Sequence, residues 1–384
     1  MAPAIFIGQA AAKKRWYEVK IRVNRDVLAD AVAWAARILP SRPVVPVLSG
    51  LLLEATDDLL TLSAFDYDVS ARAEVDAQVS EEGRVLIPGR LLAEITRSLP
   101  DDDVELVTEG AEAVLTCGSA EFGLITMPVE DFPSLPAMPP AIGAIGGGVF
   151  ASAVSQVAPA ASRDDTLPML TGIRVDIAGE SVTMAATDRY RIAARDFTWR
   201  PAAPGVAVSA MVPARMLVEV AKSLRGGEVS VAMGDGVAGF ESVGRSTTVR
   251  LLDEQFIDYR SRLTTEWSIR ADVPVAPFVN AVKRVALVAE RNTAVRLSFS
   301  QGQVLVQAGG GDIGRGAEVV PCELRGDDIQ IAFQSQFLLD GLTGIETDLA
   351  RINLESPTRP ALIQDVPGDA QPAFRYLVMS LRQP

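Results

Sequence analysis

Whatever chemistry this 384-residue chain performs, it performs without histidine. Imidazole triads, imidazole metal ligands and the usual proton shuttle near neutral pH are therefore excluded. Its two cysteines, Cys117 and Cys322, each fall in a strand-like run, which suits small buried thiols better than a disulfide or a reactive thiol. Two cysteines with no histidine do not make a structural zinc site, and no Asp/Glu cluster suggests a carboxylate-held magnesium ion, so no cofactor is expected. Gly309-Gly310-Gly311-Asp312-Ile313-Gly314 matches G-x-G-x-x-G after a strand. A dinucleotide site needs a helix next, but Arg315 to Val320 reads as a strand, so the run is expected to be a flexible turn. The remaining polar centre is Thr187-Asp188-Arg189-Tyr190-Arg191. It reads equally as a solvated hairpin or, beside Pro168, Met169 and Leu170, as a groove with an apolar floor and a cationic rim, a form that suits short peptides. An enzyme with a carboxylate site would need acids present in one part of the chain and missing at matching positions elsewhere. Asp188 fails that test, because Asp66 matches it.

That match belongs to a larger pattern. Leu28, Ala31, Val32, Ala35 and Ile38 form one apolar helical stripe. Phe150, Ala153, Val154, Val157 and Ala160 repeat it 122 residues later, and Phe278, Ala281, Val282, Val285 and Val288 repeat it after a further 128. The strand-like runs ending at Asp66, Asp188 and Gly310 recur at 122-residue intervals. Such a period is the size of a domain, so three tandem copies of one α+β unit are predicted, each large enough for its own core. Each reads as helix, strands, helix, strands. Hairpins are signalled around Asp57-Asp58, Gly179 and Gln301-Gly302. Second helices carry Leu91, Leu92, Ile95 and Leu99, then Met216, Leu217, Val220 and Leu224, then Phe337, Leu338, Leu342 and Ile345. The expected divisions are a flexible extension over 1–18 and units at 19–136, 149–263 and 266–384. The linkers are Pro133 to Gly148, rich in Pro and Gly, and Thr264 to Pro274.

The net charge of −13 alone argues against nucleic acid, but its distribution argues otherwise. The six predicted helices together carry a net +4, leaving −17 on everything else. If they share a face, that face can meet phosphate; a solvated helix face with a chance excess is the alternative. The apolar tail, Tyr376 to Pro384, is expected to dock, either in its own core or beside a binding site. No apolar run is long enough for a membrane helix, and Met1 to Ala12, with its charges after it, is a poor secretory signal. A cytoplasmic protein with no membrane partner is expected.

Arg42-Pro43-Val44-Val45-Pro46-Val47-Leu48, Glu130-Asp131-Phe132-Pro133-Ser134-Leu135, Ala186 to Ala193, Phe256-Ile257-Asp258-Tyr259-Arg260 and Tyr376-Leu377-Val378-Met379, in this order, resemble the bacterial DNA polymerase III sliding clamp, the beta subunit. Val285 to Asn292 resembles its actinobacterial branch. The resemblance spans about Val19 to Gln383. It implies a head-to-tail homodimer whose six similar domains close a ring, helices lining the hole and sheets outside. Such a protein is a non-catalytic processivity factor, holding duplex DNA without reading its sequence. It implies DNA-facing cations at Arg42, Arg90, Arg97, Arg215, Lys222, Lys283 and Arg284. Phe122 and Leu124 would meet Ala286, Leu287 and Val288 of the second copy. The partner groove would be built from Leu170, Thr187, Arg189, Tyr190, Arg191, Ile192, Ile257, Phe337, Val378, Met379, Ser380, Leu381 and Arg382. The polymerase alpha subunit, the clamp loader and repair proteins would insert short apolar peptides there, in a cytoplasmic, nucleoid-associated assembly.

Departures from the family pattern cluster in that groove. Ile257 and Ser380 stand where proline is usual, and Gln383 where leucine is often found. Proline fixes φ and removes a donor, so these changes should loosen the groove and alter its polarity. They fit lineage drift, or a specialised second clamp that takes cellular peptides but excludes a groove-binding inhibitor, giving resistance.

Overall fold

The structure is a computed structural model that describes residues 19–224, 226–264, 266–288, 294–309, 314–368 and 371–381. Compact packing divides the chain into two units, 1–137 with 243–248, and 138–242 with 249–384.

In the first unit, strands Gln78–Glu81, Lys20–Asn24, Asp103–Glu109, Glu112–Cys117 and Ala120–Ile125 lie side by side in that order, and Val69–Asp76, Leu59–Asp66, Gly50–Thr56 and Gly83–Pro88 form a second run, all antiparallel. Helices α1 (Arg25–Ala35) and α2 (Gly89–Ser98) pack together over both. Asn24 caps α1, its Oδ1 accepting the Asp26 and Val27 amides at 3.0 and 3.3 Å, a polar residue placed where a helix has orphan donors. Leu28, Val32, Leu53, Leu62, Leu92, Leu106 and Leu115 share one core. Asp57 and Asp58 both take positive φ, as a two-residue hairpin turn demands.

The second unit contains the last repeat and the middle one apart from 243–248. Helices α3 (Gly147–Val157) and α4 (Ala214–Ser223) belong to the middle one, and α5 (Val275–Val285) and α6 (Ser335–Thr343) to the last. α1, α3 and α5 begin at 25, 147 and 275, the offsets expected of the apolar stripes. A nine-stranded antiparallel sheet runs Ala207–Pro213, Gly172–Ala178, Ser181–Thr187, Arg191–Thr198, Phe374–Val378, Ala361–Asp365, Leu349–Leu354, Ile269–Pro274, Glu323–Arg325. Its centre is the joint between the repeats, where Arg191 pairs with Val378, Ile192 with Leu377 and Arg195 with Phe374. The last repeat adds a four-stranded sheet with Arg315–Pro321 at one edge.

Both predicted linkers need correction. Ala141–Gly146 is a strand paired with Glu228–Gly234, and Ile269–Pro274 is a strand paired with Leu349–Leu354. Each stands directly before the first helix of its repeat, as Lys20–Asn24 does before α1. Glycine and proline density hid the first strand and charged residues interrupt the second, though their alternate residues Ile145, Ala271 and Val273 are buried. Cys117 and Cys322 are free and buried, and burial pushes both thiols up. Gly310 to Ile313 of the glycine run lie outside the described residues, but Arg315–Pro321 is the strand expected after it. Among the described residues no helix is long and apolar enough to cross a membrane.

Candidate functional site

The joint between the second and third repeats places the polar centre. In the first repeat the strand ending at Asp66 returns through a two-residue turn, with Asp66 opposite Val69. In the second, Thr187 is opposite Ile192, so the turn is two residues longer. Its shape is held from within. The Asp188 carboxylate accepts the amides of Tyr190 and Arg191 at 3.0 and 3.1 Å. Thr187 Oγ1 accepts the Arg189 amide at 3.2 Å and donates to the Arg191 carbonyl at 2.7 Å. These bonds hold Arg189 at φ 79°, a left-handed conformation that few non-glycine residues adopt. Asp188 is thus spent on its own turn and on Arg191, not on catalysis.

Arg191 is not a free cation at the rim. Its Nε donates to Asp188 at 2.9 Å and its Nη1 to Asp340 of α6 and, at 3.2 Å, to Tyr376 Oη. The guanidinium lies 4.3 Å from the Phe337 ring centroid. Burial opposes its charge, but Tyr376, Asp340 and Asp188 outweigh burial and push its pKa up. Tyr376 Oη in turn donates to the Phe337 carbonyl at 2.9 Å, and burial pushes its phenol pKa up despite Arg191. Arg191 therefore pins the turn of one repeat to the helix of the next.

Beside this pin opens a cleft of about 260 Å³. Thr187, Arg189, Tyr190, Arg191, Ile192, Ile257 and Met379 line it, together with Arg262, Pro360 and Leu377, which the sequence reading did not name. Its floor belongs to an apolar cluster containing Ile192, Leu377, Tyr259 and Leu263. Tyr190 stands 57% exposed at the mouth, stacked at 6.1 Å on Phe337. The Met379 amide donates to the Tyr190 carbonyl at 2.9 Å, and the exposed Leu381 is held through its amide to the Ala332 carbonyl at 2.8 Å. Leu170 and Val378 are buried, at 5% and 0% exposure, and do not line the cleft. Side chains alternate along a strand, so Leu377 faces the cleft and Val378 does not. Phe337 stacks on Tyr190 and meets Arg191, Ser380 is partly buried just beyond Met379, and Arg382 lies outside the described residues.

The other expected residues divide. Arg42, Arg90, Arg97, Arg215, Lys222 and Lys283 are exposed. Arg284 is not available in the same way, for its guanidinium makes a two-pronged contact with Glu318, and that hydrogen bonding holds the Glu318 carboxyl below its usual range. Lys222 pairs with Glu219 at 2.8 Å, a surface pair that water screens. On Ala120–Ile125, Leu124 is 3% exposed and Phe122 packs on the same core. Ile125, at 70%, is the exposed apolar side chain. Leu287 is 83% exposed between the partly buried Ala286 and Val288.

Three profiles cover these repeats in order. They are the DNA polymerase III beta subunit N-terminal domain over residues 19–136, the central domain over 144–258 and the C-terminal domain over 262–382. The chain belongs to the DNA polymerase III beta subunit family. It is a sliding clamp of the beta type, built of three tandem clamp domains, and a non-catalytic processivity subunit of the polymerase. It is 53% identical to the beta sliding clamp of Streptomyces coelicolor, covering 95% of this chain and 99% of that one. It is 43% identical to the beta sliding clamp homolog GriR of Streptomyces muensis, again over 95% and 99%. The fold matches the DNA polymerase sliding clamp of Bacillus subtilis with a TM-score of 0.89 at 24% identity, covering 96% and 100% of the two chains. The chain is thus more similar to that beta sliding clamp than to the GriR homolog.

Proposed function

We propose that two copies of this clamp join head to tail into a ring around duplex DNA in the cytoplasm, at the nucleoid, and tether the polymerase alpha subunit, the clamp loader and repair proteins by short apolar peptides. The three domains are taken at 19–136, 141–263 and 266–384. The cleft between the second and third domains carries the partner reading. It is open at an exposed tyrosine and floored by Ile192, Leu377 and Ile257, and apolar side chains leaving water for such a floor gain about 25 cal/mol per Å² buried. Arg189 and Arg262 are exposed beside it and suit an acidic or polar peptide flank. Arg42, Arg90, Arg97, Arg215, Lys222 and Lys283 supply diffuse phosphate contact.

The ring needs two complementary faces. Ala120–Ile125 and Arg315–Pro321 are each the outer strand of a sheet among the described residues, with Ile125 70% and Val319 54% exposed. Free edges with exposed apolar side chains invite pairing. We place them in the contact between copies, with Leu287 beside them. Ile125→Arg is expected to convert the dimer to monomer in light scattering at micromolar concentration. A variant that stays dimeric removes this edge from the interface.

The whole reading is tested by loading the protein onto circular DNA and linearising half the sample. Retention on circles with loss from linear ends is expected of a ring. A monomer, or equal retention on both, would overturn it.

A further inference from the structure

We infer that Asp176 is a positioning residue of the partner cleft, fixing the wall that carries Ile257 from the far side of that wall. The inference rests on the partner-cleft reading above. Ile257 lies in the irregular segment between strand Arg245–Arg250 and the helical turn Arg260–Leu263. The start of that segment is tied by backbone, the Leu251 and Leu252 amides donating to the Gly236 and Met211 carbonyls. From 253 to 258, among the described residues, no backbone hydrogen bond joins it to a strand. Nor does Ile257 impose a φ of its own, as a proline would. The wall is therefore held by side chains, and these converge on one carboxylate.

Asp176 sits in the strand Gly172–Ala178, one alternate position from Arg174, whose strand partner Ala185 belongs to the cleft floor cluster. Its Oδ1 accepts from Arg174 Nε at 2.8 Å and from Ser209 Oγ, both on the sheet. Its Oδ2 accepts from the Oη of Tyr259, the last residue of the segment, and from the Nη2 of Arg260, the first of the helical turn, each at 3.3 Å. Two bonds thus fasten the carboxylate to the sheet and two fasten the wall to the carboxylate. Tyr259 is 4% exposed, meets the Phe256 ring edge-on at 5.7 Å and carries the Arg260 guanidinium 5.3 Å from its own ring centroid. Phe256 and Ile257 pack on the same cluster as Tyr259, so a shift of the tyrosine moves Ile257.

The protonation states agree with this arrangement. Burial, aided by Asp176 and opposed by Arg260, pushes the Tyr259 phenol up to about 12, which keeps it a donor. Burial works against the charge of Asp176, but Ser209, Arg174 and Arg260 hold its carboxyl below the usual range, which keeps it an acceptor. Asp176 does not line the cleft, so its effect on a peptide passes through Ile257.

The test uses the full-length protein and a fluorescently labelled heptapeptide bearing leucine and phenylalanine side chains, with binding followed by polarisation and mobility by hydrogen exchange. Asp176→Asn keeps the shape and removes the charge, and is expected to weaken binding about tenfold, since charge-assisted bonds are the strong ones. Exchange should rise at 253–259 and stay unchanged on strands 191–198 and 374–378. Tyr259→Phe removes one hydroxyl and should weaken binding about threefold. Asp176→Glu should recover part of the loss. Binding unchanged in both Asp176→Asn and Tyr259→Phe would overturn the proposal, as would a loss accompanied by exchange throughout the sheet, which marks general destabilisation. Failure of the unaltered protein to bind the peptide would overturn the partner-cleft reading itself, and exchange at 253–259 would still report whether Asp176 anchors the segment.

Discussion

Arg191→Ala is expected to destabilise the joint between the second and third domains by about 3 kcal/mol, the scale of breaking a buried ion pair by removing one partner. The side chain is 10% exposed, and its partners Asp188 and Asp340 are 14% and 19% exposed. Truncation leaves two largely buried carboxylates without the cation they share. It also frees Tyr376 Oη of one partner and strips the guanidinium from the Phe337 face. Unfolding of a chain with several domains is not one two-state step, so the measurement is hydrogen exchange on the paired strands 191–195 and 374–378. A 3 kcal/mol loss should speed exchange there by about two powers of ten, at 1.4 kcal/mol per tenfold. Arg189→Ala, two residues away on the exposed side of the same turn, should stay within about 0.5 kcal/mol of the parent. Equal behaviour of the two variants would show that Arg191 is a solvated rim residue after all. Asp340→Ala combined with Arg191→Ala should cost less than the two single changes added, because the pair fails together.

The contrast between Arg189 and Arg191 marks where the sequence stops being legible. Periodicity located the helices, because a one-sided apolar stripe has to bury itself wherever it occurs; Leu28, Phe150 and Phe278 are each at most 1% exposed. Hairpins at Asp57-Asp58, Gly179 and Gly302 were legible because positive φ selects a few residue types. Two arginines in one turn carry no such signature. Which one is buried depends on Asp340 and Tyr376, 149 and 185 residues further along, and on a turn two residues longer than its counterpart in the first repeat. The same limit explains Val378 and Leu377. Both are apolar and adjacent, and only the register of Phe374–Val378 against Arg191–Arg195 decides which one faces the cleft. Arg262 and Pro360 enter the cleft from segments that no local pattern connects to it. Leu124 and Ile125 pose the same problem of parity on an edge strand, and Arg284 shows a cation whose availability is set by Glu318 on a neighbouring strand. Local rules found the elements, while the site was settled by pairings between elements far apart in the chain.

Replacing Arg90, Arg97, Arg215, Lys222 and Lys283 together by glutamine is expected to separate the two ways in which a clamp holds DNA. All five side chains are exposed on helices, and of these Arg90, whose Nη2 donates to the Leu39 carbonyl at 2.9 Å, is tied to a core residue's backbone. If each meets a phosphate, the dependence of log K on log salt should become shallower by about 0.9 for each of them. Over a fourfold rise in salt this is close to three powers of ten in association with linear duplex. A ring that has been loaded and closed is held in another way. Its retention on circular DNA needs no charge, since release requires opening the interface between copies. The variant should therefore stay on circles at low and high salt alike, while its association with linear DNA falls and loses most of its salt response. Lys222 should contribute least, because Glu219 already competes for it, and restoring it alone should recover the smallest part of the slope. An unchanged slope in the fivefold variant would mean that these cations do not face DNA. Loss of retention on circles together with the slope would mean that charge, rather than closure, holds the protein in place.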